Sequence, residues 1–242
     1  LYSSAASDVY KRQIPNTFRA LRLSNFRGAS FTEGFRVQYI GGGGIPTGGG
    51  NVPMAAASAA DPRRMIVVVH SVARDNTGDI TPGPAVINGV TGNRILGTFS
   101  TVADDGQGIA VTIARVTTGT VPTINLPGGP WSYSAAGAFA VYGHNFPVVD
   151  IQFRLNQDGG DNNINGTSIP IATPAGTAVM YIAQNNGGGG PDNAPISQSN
   201  FYVNSGIGVD WDYDPTPGTT TYNYIGNTRP AFLGAISFFR EF

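Results

Sequence analysis

The chain has 242 residues and a formal net charge of −1, with 12% of its residues charged and 40% hydrophobic. That balance supports a buried core, which excludes a disordered chain, and without clustered Arg and Lys it speaks against a nucleic-acid groove. No cysteine is present, so disulfides, thiolate catalysis and cysteine-ligated zinc are excluded.

The longest aliphatic stretch, Met65 to Val69, is far short of the ~20 residues a membrane-spanning helix needs. Glutamate occurs only at Glu33 and Glu241, Lys11 is the single lysine, and there are 34 glycines and 17 prolines. Glu and Lys, two strong helix formers, are scarce and helix breakers abundant, which predicts short strands joined by turns.

In chain order, residues 1–13 resemble a translated sequencing-adaptor end of the kind seen at the edges of metagenomic reading frames. They are expected to be a non-native or disordered tail and are set aside from fold reasoning. Residues 14–60 are expected to carry N-terminal strands and a Gly-rich loop, forming one domain with a core over 61–242. Arg19, Arg22 and Arg27 alternate with Phe18, Leu21, Leu23 and Phe26 and continue to Arg36. That segment reads either as a subunit-docking surface or as an edge strand with its arginines in water. Gly41 to Gly50 reads as a loop, since it lacks the Lys-Ser/Thr that ends a phosphate-binding loop. Ala55 to Ala60 is the best helical window, one or two turns at most.

Met65–Val72, Thr177–Ala183 and Ala231–Phe239 are nearly continuous apolar runs, the pattern of strands covered on both faces. Ile109, Val111 and Ile113, and later Ile151, Phe153 and Leu155, alternate with smaller or polar residues, the pattern of strands with one buried face. Ala138–Tyr142 and Phe201–Val203 add further strands. Asn88-Gly89, Asp105-Gly106 and Asn165-Gly166 tolerate positive φ and predict tight reversals. No repeat of fixed period is visible. The expected architecture is all-β, a two-sheet antiparallel β-sandwich of jelly-roll type in a single domain.

Few residues suggest chemistry. Asp210, Asp212 and Asp214 alternate with Trp211 and Tyr213, so an extended chain places three carboxylates on one side, a candidate calcium site or else a solvated acidic edge. Asp158 to Gly166 is rich in oxygen ligands but lacks EF-hand spacing. Asn165-Gly-Thr167 matches the glycosylation sequon. His70, inside an apolar run, is expected to be a hydrogen-bonded core residue, and His144 stands at a strand end. No Gly-x-Ser-x-Gly elbow is present. Trp131, Tyr133, Trp211, Tyr213, Tyr222 and Tyr224 lie in turn-rich stretches, where they would stack on sugars or else pack between strands or at a subunit interface.

The succession Asp61-Pro-Arg-Arg-Met-Ile-Val-Val-Val69, Val86-Ile-Asn-Gly89, Ile109 to Ile124 and Ala138-Phe-Ala-Val-Tyr142 resembles a β-sandwich module of tailed-phage tail-fibre and virion-surface proteins. Ser168 to Tyr181 resembles its step from a paired strand through a glycine turn to a central strand. Ala235-Ile-Ser-Phe-Phe-Arg240 resembles its closing strand. The likeness spans roughly residues 61–240, in strand order and turn residues, and carries no catalytic residues. It implies a non-enzymatic bacteriophage virion component on the tail or capsid surface, and so an extracellular one. Its partners would be other copies of itself, neighbouring virion proteins and host cell-surface glycans, with no membrane insertion. The residues alone also admit a secreted carbohydrate-binding or lectin-like module, and a glycan hydrolase whose carboxylates meet in space.

Overall fold

The computed structural model describes residues 36–74, 80–102, 105–155, 168–173, 177–185, 201–204, 207–212, 218–223 and 230–240. All of them belong to one compact unit, Gly34–Phe242. Among the described residues there are strands and no helix, as the scarcity of Glu and Lys predicts.

In the first half of the chain the strands are β1 (Arg36–Gly44), β2 (Gly49–Asn51), β3 (Met65–Arg74), β4 (Val86–Ile87), β5 (Val90–Thr91), β6 (Asn93–Val102), β7 (Asp105–Arg115), β8 (Ile124–Pro127) and β9 (Tyr133–Tyr142). In the second half they are β10 (His144–Leu155), β11 (Ser168–Thr173), β12 (Thr177–Asn185), β13 (Phe201–Asn204), β14 (Ile207–Asp212), β15 (Gly218–Asn223) and β16 (Pro230–Arg240). One five-stranded sheet runs β1-β9-β3-β7-β6, and a second runs β10-β16-β12-β14-β13. A four-stranded sheet runs β2-β8-β4-β5, and β11 and β15 form a two-stranded sheet among the described residues. Among the described residues every pairing is antiparallel.

The period-two geometry of a strand explains how β3 is buried from Met65 to Val72. Met65, Val67 and Val69 face one way, into a cluster with Ala178, Met180 and Ile182 of β12 and Ile236 and Phe238 of β16. Ile66 and Val68 face the other way, into a cluster with Ile87 of β4 and Ile124 and Leu126 of β8. The first sheet therefore has apolar contacts on both sides, which is why β3 reads as a nearly continuous hydrophobic run, with His70 and Ser71 its buried polar members. Each fully buried Val, Ile or Met of this kind stabilises the fold by about 1.5–3 kcal/mol relative to exposure. β11 lies against β10, β12 and β16. The expected strands over 65–72, 109–113, 138–142, 151–155, 177–183, 201–203 and 231–239 are all present.

Asn88 and Gly89 form the expected reversal, with φ of 50° and 79°, between β4 and β5. Positive φ at both central residues matches the twist of a tight hairpin.

Three expectations are corrected. The glycine tract is mostly strand: Gly41–Gly44 lie in β1 and Gly49–Gly50 in β2. These glycines permit backbones to approach closely. A Cβ on Gly41 would run into Pro53 O, and one on Gly49 would lie 2.6 Å from both Gly128 N and Leu126 O. Ala55–Ala60 is irregular rather than helical, since Ala55 N and Ala56 N both donate to Ile40 O across the chain. Asp105 and Gly106 are strand residues: Val102 faces Asp105, so the reversal falls before that pair.

Candidate functional site

Two buried polar clusters stand out, and both arise where a polar residue interrupts or abuts the apolar run of β3. The first is built around Arg64, which is fully buried directly before Met65. Its guanidinium reaches the segments on either side of the first sheet's end. Nε donates to Val116 O at 2.8 Å, and Nη2 donates to Thr118 O at 2.8 Å. Nη1 donates to Ser58 O, Ser58 Oγ and Ala59 O, each at 2.9 Å. A guanidinium presents its N–H donors in a fixed fork, and this cage engages all three of its nitrogens, with three acceptors sharing the two N–H groups of Nη1. All five acceptors are neutral: carbonyl dipoles and one hydroxyl hold the charge in place of a carboxylate. Nearby, Tyr142 Oη donates to Ala59 O at 3.1 Å, and the Arg36 guanidinium lies 4.5 Å from the centre of the Tyr142 ring.

The second cluster surrounds His70. Its Nε2 is 3.0 Å from Ser134 Oγ, and Trp131 meets the ring edge-on at 5.7 Å and 85°. Val72 and Ile80 complete the apolar wall against Trp131. Burial pushes the His70 imidazole down from 6.5 to about 4, so it is neutral near pH 7. A Ser–His spacing of this kind is what an activated nucleophile requires. Here, though, Ser134 is 3% and His70 1% exposed, and His70 Nδ1 has no hydrogen-bond partner among the described residues that would orient the ring. As placed, the pair ties β3 to β9 inside the protein. This matches the expectation of a hydrogen-bonded core histidine. His144 is also buried, at the first position of β10, with its ring tilted against Phe238.

The residues singled out from sequence are dispersed. Asp210 and Asp212 lie on β14, opposite Tyr181 and Val179 of β12, while Asp214 lies outside the described residues. Trp211, between them, packs against the cluster shared by the two five-stranded sheets, as alternation along an extended strand requires. Trp131 is an interior side chain, 7% exposed, and so packs rather than presenting a face to a sugar. Tyr133 opens β9 and is half-buried, and Tyr222 lies on β15 opposite Ile169. Tyr213, Tyr224, Arg19, Arg22, Arg27 and the Asp158–Gly166 loop with its sequon lie outside the described residues.

Reading the sequence missed the Arg64 cage. The available signal was an arginine set directly against a nearly continuous apolar strand, a place where a cation is almost never buried without partners. Among the described residues no helix is long and apolar enough to cross a membrane. Compared with family models, with curated proteins and with solved structures, the chain finds no match.

Proposed function

We propose that this chain is a non-enzymatic component of a tailed-bacteriophage virion, displayed on the tail or capsid surface. In this reading its two five-stranded sheets form a jelly-roll-like β-sandwich, and its end loops contact neighbouring subunits and host-surface glycans. The observation that carries the reading is how the buried polar groups are used. Arg64 engages all three guanidinium nitrogens with loop carbonyls and a serine hydroxyl, and His70 is held neutral between Ser134 and Trp131. Both clusters brace strands and loops, the service a packing subunit needs. The likeness of residues 61–240 to virion-surface modules supports the same reading.

Purified particles from the source sample, banded on a density gradient and quantified by mass spectrometry, test this. The chain should co-sediment with the particles at a fixed ratio to their major structural protein. Recovery only in the soluble fraction would overturn the proposal, and a specific signal on a glycan array from a monomer would then favour a secreted lectin-like module.

A further inference from the structure

Each five-stranded sheet is drawn from one half of the chain. In the first sheet the strands in order of sequence are β1, β3, β6, β7 and β9, and they lie side by side as first-fifth-second-fourth-third. In the second they are β10, β12, β13, β14 and β16, and they lie in that same order. The short strands repeat as well. β2 follows the first strand of its half and β8 follows the fourth, and these two pair. β11 and β15 occupy the same places in the second half, and they also pair.

The registers match residue by residue. Val69 stands between Gly137 and Val111, and Ile182 stands between Gly234 and Val209. Val37 faces Val141, and Val148 faces Phe238. Residues 65–69 thus correspond to 178–182, 109–111 to 207–209, and 138–141 to 235–238. Ile109/Ile207, Val111/Val209, Gly137/Gly234 and Ala138/Ala235 are identical pairs under this correspondence. The cluster between the sheets draws on the same positions of both halves, Val67 with Met180, Val69 with Ile182, and Phe139 with Ile236.

The stacking has a matching symmetry. β1 approaches β13, β6 approaches β10, and β9 approaches β14. First strands therefore meet third strands and a fifth meets a fourth. A half-turn about an axis running along the strands, midway between the sheets, produces that arrangement, whereas one across the strands would set equal ranks face to face. Gln184 Nε2 donates to Gly108 O at 3.3 Å, and Gly108 is opposite Val72. The ends of β3 and β12 are thereby level, so the two central strands run the same way, as this axis demands.

We infer that the chain is a fused pair of one β module, residues 36–142 and 144–240, joined at Gly143, and that the partner on each module's inner face is the other copy. The chain is the single-polypeptide counterpart of a two-fold homodimer with an isologous interface. That interface is closed within the chain, so assembly with anything else uses other surfaces. Corresponding loops of the two modules leave from the same end, where one partner meets two related sets. This inference stands whether or not the virion reading does.

The test uses the full chain with a specific protease recognition sequence inserted at Gly143 and cleaved after folding. The two fragments should co-elute at the mass of the uncut chain, keep their β-sheet circular dichroism, and separate only in denaturant. Fragments that unfold, or that part without denaturant, would overturn the inference. A crystal structure of the unaltered chain decides the matter even if the insertion blocks folding. The matched residues should superpose through a half-turn, and a different strand order in the second sheet would refute the duplication.

Discussion

Replacing Arg64 with methionine keeps much of the side chain's length and removes its charge and all five donors. In the native protein those donors satisfy Val116 O, Thr118 O, Ser58 O, Ser58 Oγ and Ala59 O at 2.8–2.9 Å, around a side chain with no exposed surface. Hydrogen bonds to a charged group are worth about 1.5–3 kcal/mol each, and a buried acceptor left unsatisfied costs about 1–3 kcal/mol. These do not add, because the loops at 58–59 and 116–118 relax toward water once released, and removal of the buried charge recovers part of its desolvation cost. A net loss of about 3–5 kcal/mol follows, the size of one to two such charged hydrogen bonds together with a buried acceptor left unsatisfied. For a chain of this size that lowers Tm by roughly 6–20 °C, at about 2–4 °C per kcal/mol. Urea and thermal denaturation followed by circular dichroism measure it. Arg64→Lys should recover only part of the loss, since an ammonium cannot reproduce the fork. If Arg64→Met stays within about 1 kcal/mol of the native protein, the cage does not brace these loops.

The His70 imidazole titrates at about 4 in the folded protein against 6.5 unfolded, so the unfolded chain binds more protons between those values. Stability contributed by this group is therefore complete above about pH 6.5 and declines toward pH 4, by about 3 kcal/mol at 1.36 kcal/mol per unit. Urea melts across that window should be flatter for His70→Gln, and equal slopes would count against the assignment. Gly49→Ala should cost at least about 2 kcal/mol, because φ is 89° and the new Cβ would lie 2.6 Å from Gly128 N; a neutral result in thermal melts would contradict the close approach. Asn88 has φ of 50° and its Oδ1 accepts from Thr123 N at 2.8 Å. Asn88→Ala should therefore lose about 1–2 kcal/mol, with Asn88→Gly losing less. Trp131→Ala should cost about 3–5 kcal/mol as a core truncation while leaving any glycan-array signal per folded molecule unchanged. A selective loss of that signal would place the ring in a binding surface instead.

The strands were legible because burial on both faces leaves a nearly unbroken apolar run, as in Met65–Val72. Alternation located the strand at Ile109–Ile113 but misjudged its faces: Ala110 and Thr112, expected in water, are buried too, and Thr112 Oγ1 accepts from Ala85 N at 3.0 Å. The Asn88-Gly89 turn was legible because few residue pairs tolerate positive φ twice. The glycine tract was misread because glycine has no side chain to carry a period. Gly41 and Gly49 are strand residues chosen for what their missing Cβ allows, which depends on Pro53 and Leu126 across the fold. Trp131 could not be placed from sequence, since its wall is Val72 and Ile80, distant along the chain.

The duplication was hidden for two reasons. Matched core positions keep hydrophobicity but change identity, as with Val69 and Ile182 or Phe139 and Ile236. In addition, the β4–β5 hairpin lengthens the first copy between its central strand and β6, which destroys any fixed period. Strand order and register preserve what the residue identities have lost.

Cryo-electron microscopy of the purified source particles tests the proposed role most directly. The account predicts density on the tail or capsid surface that accepts this chain, with its two five-stranded sheets face to face and related by a half-turn. Particles complete at side-chain resolution with no density that accepts the chain would contradict it.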